Sequence, residues 1–127
     1  MDIKIYYRDT DCGGVVYYAN YLDYFEMART EWMAGKGISV KELRETGVQF
    51  VVKNACLDYK IPAAYGDMLQ INTVMSKVTG ASITFEYSIL VKGTGKCAVT
   101  GETKLVCIDM DMRPRKLPDD VRAKLTS

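Results

Sequence analysis

The sequence contains no histidine. That absence removes the Ser-His-Asp triad, the Cys-His dyad and imidazole metal sites together. Acid–base chemistry near neutral pH must then fall to a carboxylate, a tyrosine, a lysine or a thiol. An excess of charge is missing too: 17 basic residues face 16 acidic ones. A near-neutral chain offers no electrostatic platform for nucleic acid or anionic lipid. No apolar run approaches the roughly 20 residues that span a bilayer. The opening Met1-Asp2-Ile3-Lys4-Ile5-Tyr6 lacks the long apolar core of an export signal and reads as a strand. The four cysteines, Cys12, Cys56, Cys97 and Cys107, show no CxxC spacing. They are expected to be reduced thiols, mostly core filler, in a cytoplasmic protein.

What is present suits one compact domain over residues 1–127, with 48% apolar residues to build its core. Ile3 to Arg8 predicts a short strand, and Asp9-Thr10-Asp11-Cys12-Gly13-Gly14 breaks it. A long helix is expected from about Tyr18 to Gly37, with Leu22, Phe25, Arg29 and Met33 along one side. Asn20 with Asp23 could cap its start, and Gly35 and Gly37 suit its end. Ser39 and Glu42 form a capping box for a shorter helix that stops at Gly47. The period then changes to two. Val48 to Ile61, Met68 to Val78, Ser82 to Lys92 and Cys97 to Asp109 predict four long strands. Short links favour antiparallel neighbours. Pro118 to Leu125 predicts a closing helix, with Pro118 near its start. The fold class is α+β: one antiparallel sheet with helix on one face.

The chemistry concentrates between Tyr7 and Tyr21. Asp9 and Asp11 flank Thr10, two glycines let the backbone turn, and an apolar run feeds a helix start. A helix start carries free N–H groups and positive dipole character. Such donors can stabilise the oxyanion formed when a carbonyl is attacked. A nearby carboxylate can activate water or attack directly. Asp9 suits a structural role in the turn. Cys12 lacks a histidine to lower its pKa and is a poor nucleophile candidate. Glu26 and Arg29 are spaced for an ion pair on the helix. Tyr17, Tyr21, Tyr24 and Phe25 read as core, at least one of them lining a substrate pocket.

The segment Tyr7-Arg8-Asp9-Thr10-Asp11-Cys12-Gly13-Gly14-Val15-Val16-Tyr17-Tyr18-Ala19-Asn20-Tyr21 resembles the active-site motif of the 4-hydroxybenzoyl-CoA thioesterase family. The downstream helix Tyr21 to Trp32 looks especially like the Tol-Pal-associated acyl-CoA thioesterase branch. The likeness continues through Ile61 to Asp67 and Arg113 to Pro118, covering nearly the whole chain. It implies the hotdog fold: a long helix wrapped by a curved antiparallel sheet of about five strands. It implies hydrolysis of an acyl-CoA, or of the related acyl-carrier-protein thioester. The family's catalytic aspartate falls on Asp11, as general base for water or as nucleophile. Its carbonyl-binding backbone amide falls on Tyr18. Gly14, Val16, Tyr17 and Tyr21 are expected to bind substrate. No resident cofactor or metal is expected, coenzyme A being part of the substrate. The resemblance also implies a homodimer or homotetramer with active sites shared between chains. Two features depart from the pattern. Tyr18 stands where many members of that branch carry histidine. Thr79, Gly80 and Ala81 are uncharged where the 4-hydroxybenzoyl enzymes place a basic cluster. The alternative is a non-catalytic hotdog protein that binds acyl-CoA or acyl-carrier protein. A hotdog dehydratase or hydratase ranks lower, for want of a histidine.

Overall fold

The computed structural model describes every residue from Met1 to Ser127. The chain runs β1 (Asp2–Lys4), a single 3-10 turn (Tyr7–Asp9), α1 (Asn20–Gly35), α2 (Val40–Glu45), β2 (Gln49–Tyr59), β3 (Met68–Val78), β4 (Ser82–Val91), β5 (Lys96–Ile108) and α3 (Asp119–Leu125). All five strands join one antiparallel sheet, in the order β1-β3-β4-β5-β2. No helix is long and apolar enough to cross a membrane.

Period-two patterning builds the sheet. In β4, Ile83, Phe85, Tyr87 and Ile89 are all buried, while Glu86 between them is exposed. That inner face packs on α1. Phe25 stacks on Tyr87 with centroids 4.2 Å apart, and Trp32 meets Phe85 edge-on at 5.3 Å. Gly101 on β5 leaves room for Phe25: a Cβ there would lie 2.4 Å from the ring. Register shifts at Val52/Asn54, Met75/Lys77 and Ile89/Leu90 put an irregularity into each long pairing. Such bulges bend and twist strands. The result is the expected architecture, a long helix wrapped by a curved five-stranded sheet.

Helix ends follow local chemistry. Gly37 takes φ +79. Ile38 N–H and Gly37 N–H donate to the Met33 and Ala34 carbonyls, both at 2.9 Å. This is a Schellman closure, with Ile38 and Met33 buried together. The Ser39 hydroxyl accepts from Glu42 N–H at 3.2 Å and starts α2.

Several expectations need correction. The first strand stops at Lys4, because Asp9 accepts the Tyr6 N–H and winds Tyr7–Asp9 into the 3-10 turn. No Asn20/Asp23 cap forms. Asn20 instead donates its side-chain amide to the Asp9 carbonyl at 2.9 Å, leaving Ala19 at the N-cap. The buried side of α1 is Tyr21, Tyr24, Phe25, Ala28 and Met33; Leu22 is exposed and Arg29 half-buried. Glu26 forms no ion pair with Arg29 and accepts from the Thr30 hydroxyl at 3.4 Å. β2 and β3 are consecutive yet not neighbours, because β5 pairs with β2. Only Cys107 is core; Cys12 and Cys56 are exposed, and all four thiols are free.

Candidate active site

Residues 9–17 close a small hairpin. Thr10 pairs with Val16, Asp11 N–H donates to the Val15 carbonyl at 2.9 Å, and Tyr17 N–H to the Asp9 carbonyl at 2.9 Å. The turn needs Gly14, which takes φ +80, a region L side chains avoid. A second link adds the segment after β2: Val15 bridges Ala64, and Val16 N–H donates to the Ala63 carbonyl at 2.8 Å. The same hairpin therefore presents Asp11 near its tip and delivers its outgoing arm straight into α1.

The two carboxylates differ. Asp9 is tied down: Oδ2 accepts the Tyr6 N–H and Oδ1 the Tyr24 hydroxyl, each at 2.9 Å. Tyr24 is buried. Burial first, and then its bond to Asp9, raise its hydroxyl well above the usual tyrosine range, so it stays a donor. Asp11 is exposed, and its one side-chain bond is local, from Gly13 N–H to Oδ1 at 2.8 Å.

At the start of α1, Tyr18 N–H and Ala19 N–H have no acceptor in the protein. A groove of about 330 Å³ near the helix start is lined by Val16, Tyr18, Tyr21, Tyr59, Lys60, Ile61 and Pro62. Tyr59 gives its hydroxyl to the Tyr18 carbonyl at 3.1 Å. Burial raises the Tyr21 hydroxyl, keeping it neutral. Lys60 sits at the rim. Its hydrogen bond to Asp58, at 2.6 Å, raises its pKa and holds it charged. Tyr7 and Tyr65 stack at 4.0 Å, both exposed.

Of the expected substrate-binding residues, the structure brings Val16 and Tyr21 together with Tyr18 in this groove. Gly14 and Tyr17 lie outside it; Tyr17 is exposed and leans on the Tyr18 ring at 4.9 Å. Asp11 lines neither this groove nor the cavities around α2, beside Trp32, on the outer sheet face and at the C-terminal end of α1. Three of these exceed the groove and lie elsewhere: one between α2 and α3, one beside Trp32 and Ile71, and one over β2, β4 and β5. Nowhere do three carboxylate or thiol side chains gather as metal ligands. Tyr59 and Lys60 carried no signal in the sequence, where they read only as the end of a strand; Ile61 and Pro62 fell within the family likeness but with no role attached.

The curved sheet around one helix, with an exposed aspartate on the hairpin feeding that helix, defines the hotdog class. Comparison with known proteins is more specific. Residues 6–125 match the model of the Thioesterase-like superfamily. The acyl-CoA thioester hydrolase YbgC of Escherichia coli O157:H7 is 37% identical over 123 residues, covering 96% of this chain and 91% of that protein. The acyl-CoA thioesterase YbgC of Haemophilus influenzae is 38% identical, covering 95% and 89%. The crystal structure of a DHNA-CoA thioesterase from Staphylococcus aureus superposes with a TM-score of 0.92 at 28% identity, covering 99% of this chain and 89% of that one. The chain belongs to the Thioesterase-like superfamily and is an enzyme of the thioester-hydrolase kind.

Proposed function

We propose that this enzyme hydrolyses acyl-CoA thioesters to the free acid and coenzyme A, with Asp11 as its catalytic carboxylate. The observation that carries the reading is the hairpin of residues 9–17. One short ladder holds an exposed carboxylate at its tip and ends in a helix start whose Tyr18 N–H is unpaired. The high identity to YbgC proteins along nearly the full chain supports the substrate class.

In this reading the thioester carbonyl accepts from Tyr18 N–H, so charge developing on its oxygen meets a fixed donor. Asp11 takes a proton from water as the water attacks. Alternatively it attacks itself, giving a mixed anhydride that water then cleaves. The C–S bond breaks and sulfur leaves with coenzyme A. The groove beside Tyr18 and Tyr21 receives one limb of the substrate. Asp11 lies outside that groove within one chain, which favours a site completed by a second copy. β2 supports this: eleven residues long, it lies at the sheet edge with no partner on its outer side. A second copy paired there would extend the sheet and give a homodimer, the unit from which a tetramer is built. The four free thiols suit a reducing cytoplasm. An acyl-carrier-protein thioester presents the same pantetheine arm and is the adjacent substrate.

Thiol release from a panel of short, long and aromatic acyl-CoAs tests the reading. Turnover of at least one of them is expected. Saturable binding with no thiol released from any would instead make the protein a carrier.

A further inference from the structure

We infer that Tyr59 is a positioning residue for the carbonyl-binding end of α1, and that it brings a second backbone donor, Ala19 N–H, alongside Tyr18 N–H. This rests on the reading above, in which a thioester carbonyl sits at the helix start.

Two consecutive peptide groups lead into α1. The first joins Tyr17 to Tyr18. Its carbonyl accepts from Asn20 N–H at 2.9 Å, and its amide is the unpaired Tyr18 N–H. The second joins Tyr18 to Ala19. Its carbonyl accepts from the Tyr59 hydroxyl at 3.1 Å, and its amide is the unpaired Ala19 N–H. A trans peptide is planar, with N–H and C=O pointing opposite ways, and the chain has no cis bond. Fixing the oxygen therefore aims the hydrogen. Ala19 is already helical, at φ −73 and ψ −18. Successive amides at a helix start point the same way along its axis. The two peptides thus offer two adjacent unpaired donors, each with its oxygen held.

The steadying of the second comes from far along the chain. Tyr59 ends β2, 41 positions from Tyr18. No side chain caps α1 and no backbone N–H reaches the Tyr18 carbonyl, so the Tyr59 hydroxyl is that oxygen's one partner. Tyr59 is itself held, edge-on to Tyr18 at 6.3 Å and tilted against Tyr21 at 5.9 Å. A hydroxyl donated to an amide oxygen also polarises that amide and strengthens its N–H as a donor. Tyr59 therefore aims and strengthens Ala19 N–H without touching the reacting atoms.

Separating ring from hydroxyl tests this. Tyr59→Phe keeps the packing and removes the bond; Tyr59→Leu removes both. With an acyl-CoA that wild type hydrolyses, kcat is expected to fall about fivefold to tenfold in Tyr59→Phe, the weight of one neutral hydrogen bond. KM and melting temperature are expected to hold, whereas Tyr59→Leu lowers the melting temperature as well. Infrared spectroscopy gives an independent readout. In Asp11→Asn, with turnover blocked, the band of a ¹³C-carbonyl-labelled acyl-CoA moves to lower frequency on binding. Adding Tyr59→Phe returns it part of the way. An unmoved band, or an unchanged kcat in Tyr59→Phe of an active wild type, overturns the assignment alone. A wild type that hydrolyses no acyl-CoA overturns the functional reading, and this assignment with it.

Discussion

Asp9 and Asp11 sit two residues apart in one hairpin and are held very differently. Asp9 spends both oxygens on the fold, taking the Tyr6 N–H and the Tyr24 hydroxyl. Asp9→Ala would leave the buried Tyr24 hydroxyl without its acceptor, so about 1–3 kcal/mol of stability should be lost in urea unfolding. Asp11 is exposed and supports only its own turn. Asp11→Asn should change stability by less than about 0.5 kcal/mol. Tyr24 makes a pH prediction. Its folded pKa is raised, so its contribution is whole below the ordinary tyrosine value of about 10 and fades as pH climbs past it. In the unfolded chain the hydroxyl ionises first, which pulls the equilibrium toward unfolding. Tyr24→Phe removes that linkage, so its denaturant midpoint should fall less steeply than wild type's above about pH 10. Equal slopes would contradict the assignment.

The packing of α1 on the sheet depends on Gly101 as much as on Phe25. A methyl group at Gly101 would meet the Phe25 ring at 2.4 Å and the Cys56 carbonyl at 3.0 Å. Gly101→Ala should cost about 1–3 kcal/mol by overpacking, read as a lower melting temperature. Adding Phe25→Leu should recover part of that loss, because the ring is the nearer obstacle. Elements of this size were largely legible in the sequence. Met68–Val78 matches its expected range because turn residues bracket it on both sides, and Ser39, Gly37 and Gly47 mark helix ends through local chemistry. The failures share one cause. The first strand, the α1 cap and the Leu22 face were set by contacts the local pattern does not contain, such as Asn20 to the Asp9 carbonyl. The site divides the same way. Val16, Tyr18 and Tyr21 come together because the hairpin runs straight into α1, and Asp9 is bonded into the turn, as its context suggested. Tyr59 was invisible, because its partner lies 41 positions away.

Across the molecule, the sheet leaves two unequal edges. β1 is three residues long, whereas β2 runs for eleven and bulges once, between Val52 and Asn54. An exposed strand edge is a template for pairing. Sedimentation equilibrium at micromolar concentration should therefore give a mass of two or four protomers. A fully active monomer would contradict a site shared between chains.

The central claim is that Asp11, on the hairpin that feeds α1, drives thioester cleavage. Steady-state thiol release from the best acyl-CoA, compared between wild type and Asp11→Asn of equal melting temperature, tests it most directly. The account predicts a kcat at least about 100-fold lower in the variant, the usual weight of a positioned proton acceptor. Equal kcat in the two proteins would contradict it.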